Sequence, residues 1–175
     1  PPGTPIGYEF ITAGPTGSTQ LYLGGAFLAA FGIISTQGDF RLVSGNRAGL
    51  VAGDVALVNN QVWYTWADFA GAGLSRLVND SGSVDLVDPA LQFPWTLTQG
   101  LGNSMWVLQA DAVQGAASMS VSQVTSDGNV GATYPGGTDS TRLVQAADGN
   151  VWVTGGQSAN GITRVLTGVV PTSSA

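Results

Sequence analysis

Apolar residues in this chain come in short runs broken by glycine-bearing turns, and the punctuation leaves no helical periodicity. Four runs centre on an aromatic: Leu21-Tyr22-Leu23, Val62-Trp63-Tyr64, Met105-Trp106-Val107 and Val151-Trp152-Val153. Their central residues stand 41, 43 and 46 positions apart. Each is preceded by another apolar segment: Phe10-Ile11-Thr12, Val55-Ala56-Leu57, Trp95-Thr96-Leu97 and Leu143-Val144-Gln145. A third run follows each, at 31–35, 74–78, 119–125 and 162–166. Three of the units then add a glycine turn and a fourth strand, at 40–43, 84–87 and 130–133. The last unit ends weakly, as Gly168-Val169-Val170-Pro171.

Four strands joined by short turns every 40 to 46 residues is the period of a propeller blade. Stacked blades cover their inner strands on both faces, so these strands should read as continuous apolar runs. Val62-Trp63-Tyr64-Thr65-Trp66 and Met105-Trp106-Val107-Leu108 do, and the fourth strands are more polar. Asp127-Gly128 and Asp148-Gly149 supply the left-handed dihedrals of tight hairpins. The expectation is therefore an all-β chain, a single β-propeller domain over 1–175, of four blades with four antiparallel strands each. The blades fall at about 1–45, 46–89, 90–136 and 137–175. A β-sandwich or β-solenoid also uses short strands, but neither predicts an aromatic at one place in every unit.

Charge is scarce and one-sided. Asp, Glu, Lys and Arg make up 9% of the 175 residues, against roughly 25% in an average domain. Lysine is absent, and the net charge is -6. A surface of this kind does not neutralise a row of phosphates, so no nucleic acid partner is expected. It suits a cell exterior or a packed assembly, and the expected location is extracellular or at the cell surface. The 14-residue stretch from Leu21 to Ile34, the longest apolar piece, is interrupted by glycines and falls short of a membrane span.

The fourth unit, Leu143-Val144-Gln145-Ala146-Ala147-Asp148-Gly149-Asn150-Val151-Trp152-Val153-Thr154 followed by Gly161-Ile162-Thr163-Arg164-Val165, resembles the repeat of the virginiamycin B lyase-like (NHL-like) propellers. Ile11-Thr12-Ala13-Gly14-Pro15-Thr16-Gly17 is similar to the same opening. The resemblance implies a propeller fold. It also implies lyase chemistry by histidines and a glutamate around a magnesium ion near the axis, with seven blades rather than four. This chain has no histidine, and its single glutamate, Glu9, matches no motif, so no catalytic residue carries over.

Without His and Cys, the usual general base, thiol nucleophile and commonest metal ligands are missing. No Asp-x-Asp-x-Asp calcium spacing replaces them, so neither a metal nor another cofactor is expected. Asp39, Asp80, Asp127 and Asp148 sit beside or near glycines as turn formers. Asp54 and Arg142 fall at the start of a first strand, the strand nearest the axis, where they would either meet a ligand or serve as a water-facing or inter-blade charge. Asp68 and Asp111 fall in the long loops after the second strand, beside Trp66 and Gln109. That polar and aromatic rim would hold a sugar or peptide, unless Trp66 packs in the core. Three functions remain open: a non-catalytic module for structural assembly or interaction, a fragment of a lyase-like enzyme, and a carbohydrate- or peptide-binding propeller. The first rests on the two uncovered blade faces of a four-blade arc, which would be met by self-association or by additional blades.

Overall fold

In the computed structural model, which describes residues 10–25, 30–44, 51–68, 71–79, 82–86, 91–110, 118–155 and 161–168, every regular element is a strand. Blade 1 holds β1 (Phe10–Ala13), β2 (Gln20–Gly24), β3 (Ala30–Ser35) and β4 (Phe40–Ser44). Blade 2 holds β5 (Val51–Val58), β6 (Gln61–Asp68), β7 (Gly71–Asn79) and β8 (Gly82–Leu86). Blade 3 holds β9 (Pro94–Gln99), β10 (Ser104–Ala110), β11 (Ser118–Thr125) and β12 (Val130–Thr138). Blade 4 holds β13 (Arg142–Gln145), β14 (Val151–Thr154) and β15 (Ile162–Val165). Each blade is a separate antiparallel meander in chain order, which makes the arc of four blades that the spacing predicts. The weak last strand of blade 4 falls at 168–171, of which 169–171 lie outside the described residues.

The turns follow from their residues. Between β5 and β6 only Asn59 and Asn60 intervene, with φ of 49° and 61°, and asparagine is the side chain that best tolerates this left-handed pair. Gly128 and Gly149, at φ 87° and 83°, turn the hairpins expected after Asp127 and Asp148. Asn150 N–H donates to Asp148 Oδ1 at 3.0 Å, which closes the second turn.

The core lies between blades, and alternation along each strand decides which side chains enter which seam. The forward face of each blade carries its central aromatic. Tyr22 and Ile33 of blade 1 pack on Val55, Val62, Tyr64 and Trp66 of blade 2. Val58, Trp63 and Leu74 of blade 2 pack on Leu97, Met105, Val107 and Val124 of blade 3. Trp106, Leu108 and Val121 of blade 3 pack on Leu143, Val151, Val153 and Val165 of blade 4. All three seams therefore have one polarity: an aromatic from the forward face sits on the residues that flank the aromatic of the next blade.

Candidate functional site

Register defines a set of equivalent inner positions. Thr12, Ala56, Thr98 and Val144 lie opposite the aromatics Tyr22, Trp63, Trp106 and Trp152. Two residues earlier on the same first strands stand Phe10, Asp54, Thr96 and Arg142. The first strands neighbour one another in the order β1, β5, β9, β13, so these four side chains gather where the blades converge.

Asp54 is not at a strand end, as the sequence suggests. β5 begins three residues before it, and Asp54 lies in an irregularity of register between Ala52 and Val55. Such a bulge re-aims a side chain. Here it turns the carboxylate across the seam between blades 2 and 3, where only 6% of the residue is exposed. Oδ2 accepts from Thr96 Oγ1 and, at 3.0 Å, from Leu97 N–H, both on β9. Oδ1 accepts from Val55 N–H at 2.8 Å, and Asp54 N–H donates to Thr65 Oγ1 at 2.9 Å. Burial raises the carboxyl above its ordinary value, while the bonds from Thr96, Leu97 and Val55 and the charge of Arg142 pull it back down. Asp54 thus works as a clamp between two blades.

Arg142 does open β13, and its side chain is exposed. Its guanidinium carbon lies 4.2 Å from the centroid of the Phe10 ring, so it spans from blade 4 to blade 1. Nη1 donates to Thr141 O at 2.9 Å. The axial set is therefore one buried acid, one arginine stacked on a phenylalanine, and one threonine. Phe10 and Thr96 escape a search for charged residues, although their spacings from Asp54, 44 and 42 positions, match the repeat. A magnesium ion of the kind the resemblance implies does not fit here. The one anionic ligand has its oxygens engaged by three donors and lies within the field of an arginine. Among the described residues no group of three His, Cys, Asp or Glu comes together.

The rim expected around Trp66 is not where the structure puts that residue. Trp66 is 1% exposed, because it continues the alternation of Val62 and Tyr64 and enters the seam with blade 1. Nor is there a long loop after β6: the strand runs through Asp68, whose backbone pairs with Gly71. Asp111 lies outside the described residues. Its neighbour Gln109 is buried, accepting from Gln92 N–H at 3.1 Å and donating to Ser122 Oγ at 3.0 Å. A shallow cleft of about 260 Å³ opens between blades 1 and 2, lined by Pro15, Tyr22, Asn60, Gln61, Val62, Leu77 and Val78, with no charged group.

The ends of the arc differ from its seams. On the back face of blade 1, Ile11, Leu21 and Leu42 are exposed, at 63%, 36% and 52%. The residues that flank the aromatics of blades 2 to 4 hold the places of Leu21 and Leu23, and all six are buried. On the forward face of blade 4, Val144 and Ile162 are exposed beside the partly buried Trp152.

No family model matches the chain, and no curated protein does. Solved structures do. Selenomethionine-substituted virginiamycin B lyase from Staphylococcus aureus is similar over 95% of this chain and 55% of its own, with a TM-score of 0.75 at 18% identity. A streptogramin B lyase is similar over 93% and 55%, with a TM-score of 0.67 at 15% identity. A putative gluconolactonase is similar over 84% and 56%, with a TM-score of 0.59 at 14% identity. The chain thus spans about half the length of the structures it resembles, and likeness at such identities speaks to fold. Its fold is that of the virginiamycin B lyase-like β-propellers, as an arc of four blades.

Proposed function

We propose that this chain is a non-catalytic propeller module, exported or held at a cell surface, that acts by joining its two terminal blade faces to further blades. The observation that carries this reading is the exposure of Ile11 and Leu21 on blade 1, at positions whose counterparts on the other three blades are buried. Contiguous apolar surface on a sheet of this size marks an interface. The axial set supports the non-catalytic part, because its one carboxylate serves as an inter-blade clamp. The scarcity of charge and the lack of lysine favour close packing, since repulsion between modules is small.

The test is the native mass in solution, compared with 17.8 kDa for one chain. The expected particle is heavier than one chain and loses mass when Ile11→Asp or Ile162→Asp places a charge on a terminal face. A native particle of 17.8 kDa, or one indifferent to both substitutions, overturns the reading.

A further inference from the structure

Beyond the association of terminal faces, and independently of it, we infer that this chain carries a carbohydrate-binding site at the end where its first strands begin. The Trp95 ring is the stacking platform, Arg142 binds hydroxyls, and the ligand class is a neutral oligosaccharide.

Trp63, Trp66 and Trp106 are sealed in seams and Trp152 is partly buried, whereas Trp95 is 46% exposed. Phe93, on the other side of the buried Pro94, is 51% exposed. Register explains why a tryptophan on a first strand faces water. Thr96 pairs with Leu108 and Pro94 with Gln109, so Trp95 is the extra residue of a bulge, and a bulge re-aims its side chain. β5 is irregular at the same end, but there the bulge turns the Asp54 carboxylate inward. In β9 it turns an indole outward.

The exposed rings stand on a fixed backbone. Gln92 N–H donates to Gln109 Oε1 at 3.1 Å, Ala110 N–H donates to Phe93 O at 3.0 Å, and Thr65 Oγ1 donates to Trp95 O at 3.4 Å. A ligand therefore meets a platform that needs little ordering on binding. The same bonds decide between ligand classes. A peptide taken up by strand addition needs free backbone N–H and C=O groups. Here the Gln92 N–H and the Phe93 and Trp95 carbonyls are engaged, and Pro94 has no N–H. The segment offers ring faces instead. An indole face is apolar with a negative quadrupole, and the weakly positive C–H groups on one side of a pyranose lie flat against it.

Arg142 supplies the polar side of the site. It opens β13, the neighbour of β9, at the same end of the blades, and its side chain is exposed. Its guanidinium face is taken up by the Phe10 ring, 4.2 Å from the guanidinium carbon. Nη1 donates to Thr141 O at 2.9 Å, and stacking of this kind leaves the remaining in-plane donors directed away from the ring, towards hydroxyl oxygens. The net charge of -6 repels a polyanion, so the hydroxyls of a neutral sugar match this end better than the carboxylates of an acidic one.

An array of neutral and acidic oligosaccharides probed with tagged protein tests this, followed by calorimetric titration of the best neutral ligand. Saturable binding of neutral oligosaccharides is expected. Trp95→Ala should weaken it about tenfold or more, as loss of a central aromatic anchor does. Trp95→Phe, which keeps a ring, should retain part of the affinity, and Arg142→Gln should weaken binding while the protein stays folded. Leu101→Ala, exposed in the turn at the opposite end of blade 3, should leave binding unchanged. Circular dichroism and a urea midpoint verify the fold of each variant. An array with no bound glycan, binding indifferent to Trp95→Ala, or binding confined to acidic glycans overturns the site as assigned. Capture of an extended peptide in place of any glycan overturns the ligand class. The native mass is unaffected by each of these outcomes, so this site and the association of terminal faces stand or fall separately.

Discussion

Asp54 is the residue whose loss the structure evaluates most directly. Asp54→Ala removes the acceptor of three donors: Leu97 N–H, Val55 N–H and the Thr96 hydroxyl. A buried N–H left without a partner costs about 1–3 kcal/mol. Two such groups are stranded here, whereas the Thr96 hydroxyl can rotate and loses less. Part of the cost is returned, because the deleted carboxylate was itself unfavourably buried. The balance is a loss of about 2–4 kcal/mol, a large share of the ~5–15 kcal/mol that holds a typical domain folded. Urea unfolding followed by tryptophan fluorescence reads it. With a slope of about 2 kcal/mol per molar, the midpoint should fall by about 1–2 M with the slope unchanged. Asp54→Asn keeps one acceptor oxygen and should lose about half as much. A midpoint for Asp54→Ala within about 0.2 M of wild type would refute the clamp.

Other outcomes follow from the same geometry. Burial raises the Asp54 carboxyl above 3.8, so the folded chain binds this proton more tightly than the unfolded one. Its contribution to stability is full below pH 3.8 and is lost as the pH rises through the raised folded value; wild type should therefore lose stability relative to Asp54→Asn across that window, as urea midpoints at stepped pH would record. Gly38 has φ 92° and open space where a Cβ would stand, so Gly38→Ala should cost about 1–2 kcal/mol from backbone strain alone, read as a lower thermal midpoint. Trp63→Ala empties a sealed seam and should cost about 3–5 kcal/mol, whereas Trp152→Ala at the end of the arc should cost about 1 kcal/mol in a chain held monomeric by Ile11→Asp.

The blades were legible because each second strand carries an aromatic in a continuous apolar run, and this run survives insertions in the turns. Asn59 and Asn60 close their hairpin in only two residues, while the links flanking other second strands are longer, so the spacing drifts from 41 to 46 without losing the unit. The site was less legible. Asp54 stays open in the sequence between a ligand contact and a water-facing or inter-blade charge, because one-dimensional pattern carries no information about Thr96 and Leu97, which satisfy it from 42 and 43 residues away. Asp68 reads as part of a loop because it breaks the apolar run that holds Trp66. The backbone nevertheless stays paired as far as Asp68–Gly71, with two residues between the strands. Phe10 and Thr96 were passed over because neither residue type signals chemistry by itself; only the register identifies them with Asp54 and Arg142.

Every seam joins unlike faces, and this has a consequence for how such a chain can change in length. A blade copied in tandem carries both the face its predecessor needs and the face its successor needs. Insertion of a whole unit therefore leaves the old junctions chemically matched and alters only the angle through which the arc turns. Seams between like faces would forbid this, because an added blade would reverse the alternation and set mismatched surfaces together. A gene built from such units can lengthen or shorten by duplication and loss while each intermediate keeps compatible ends.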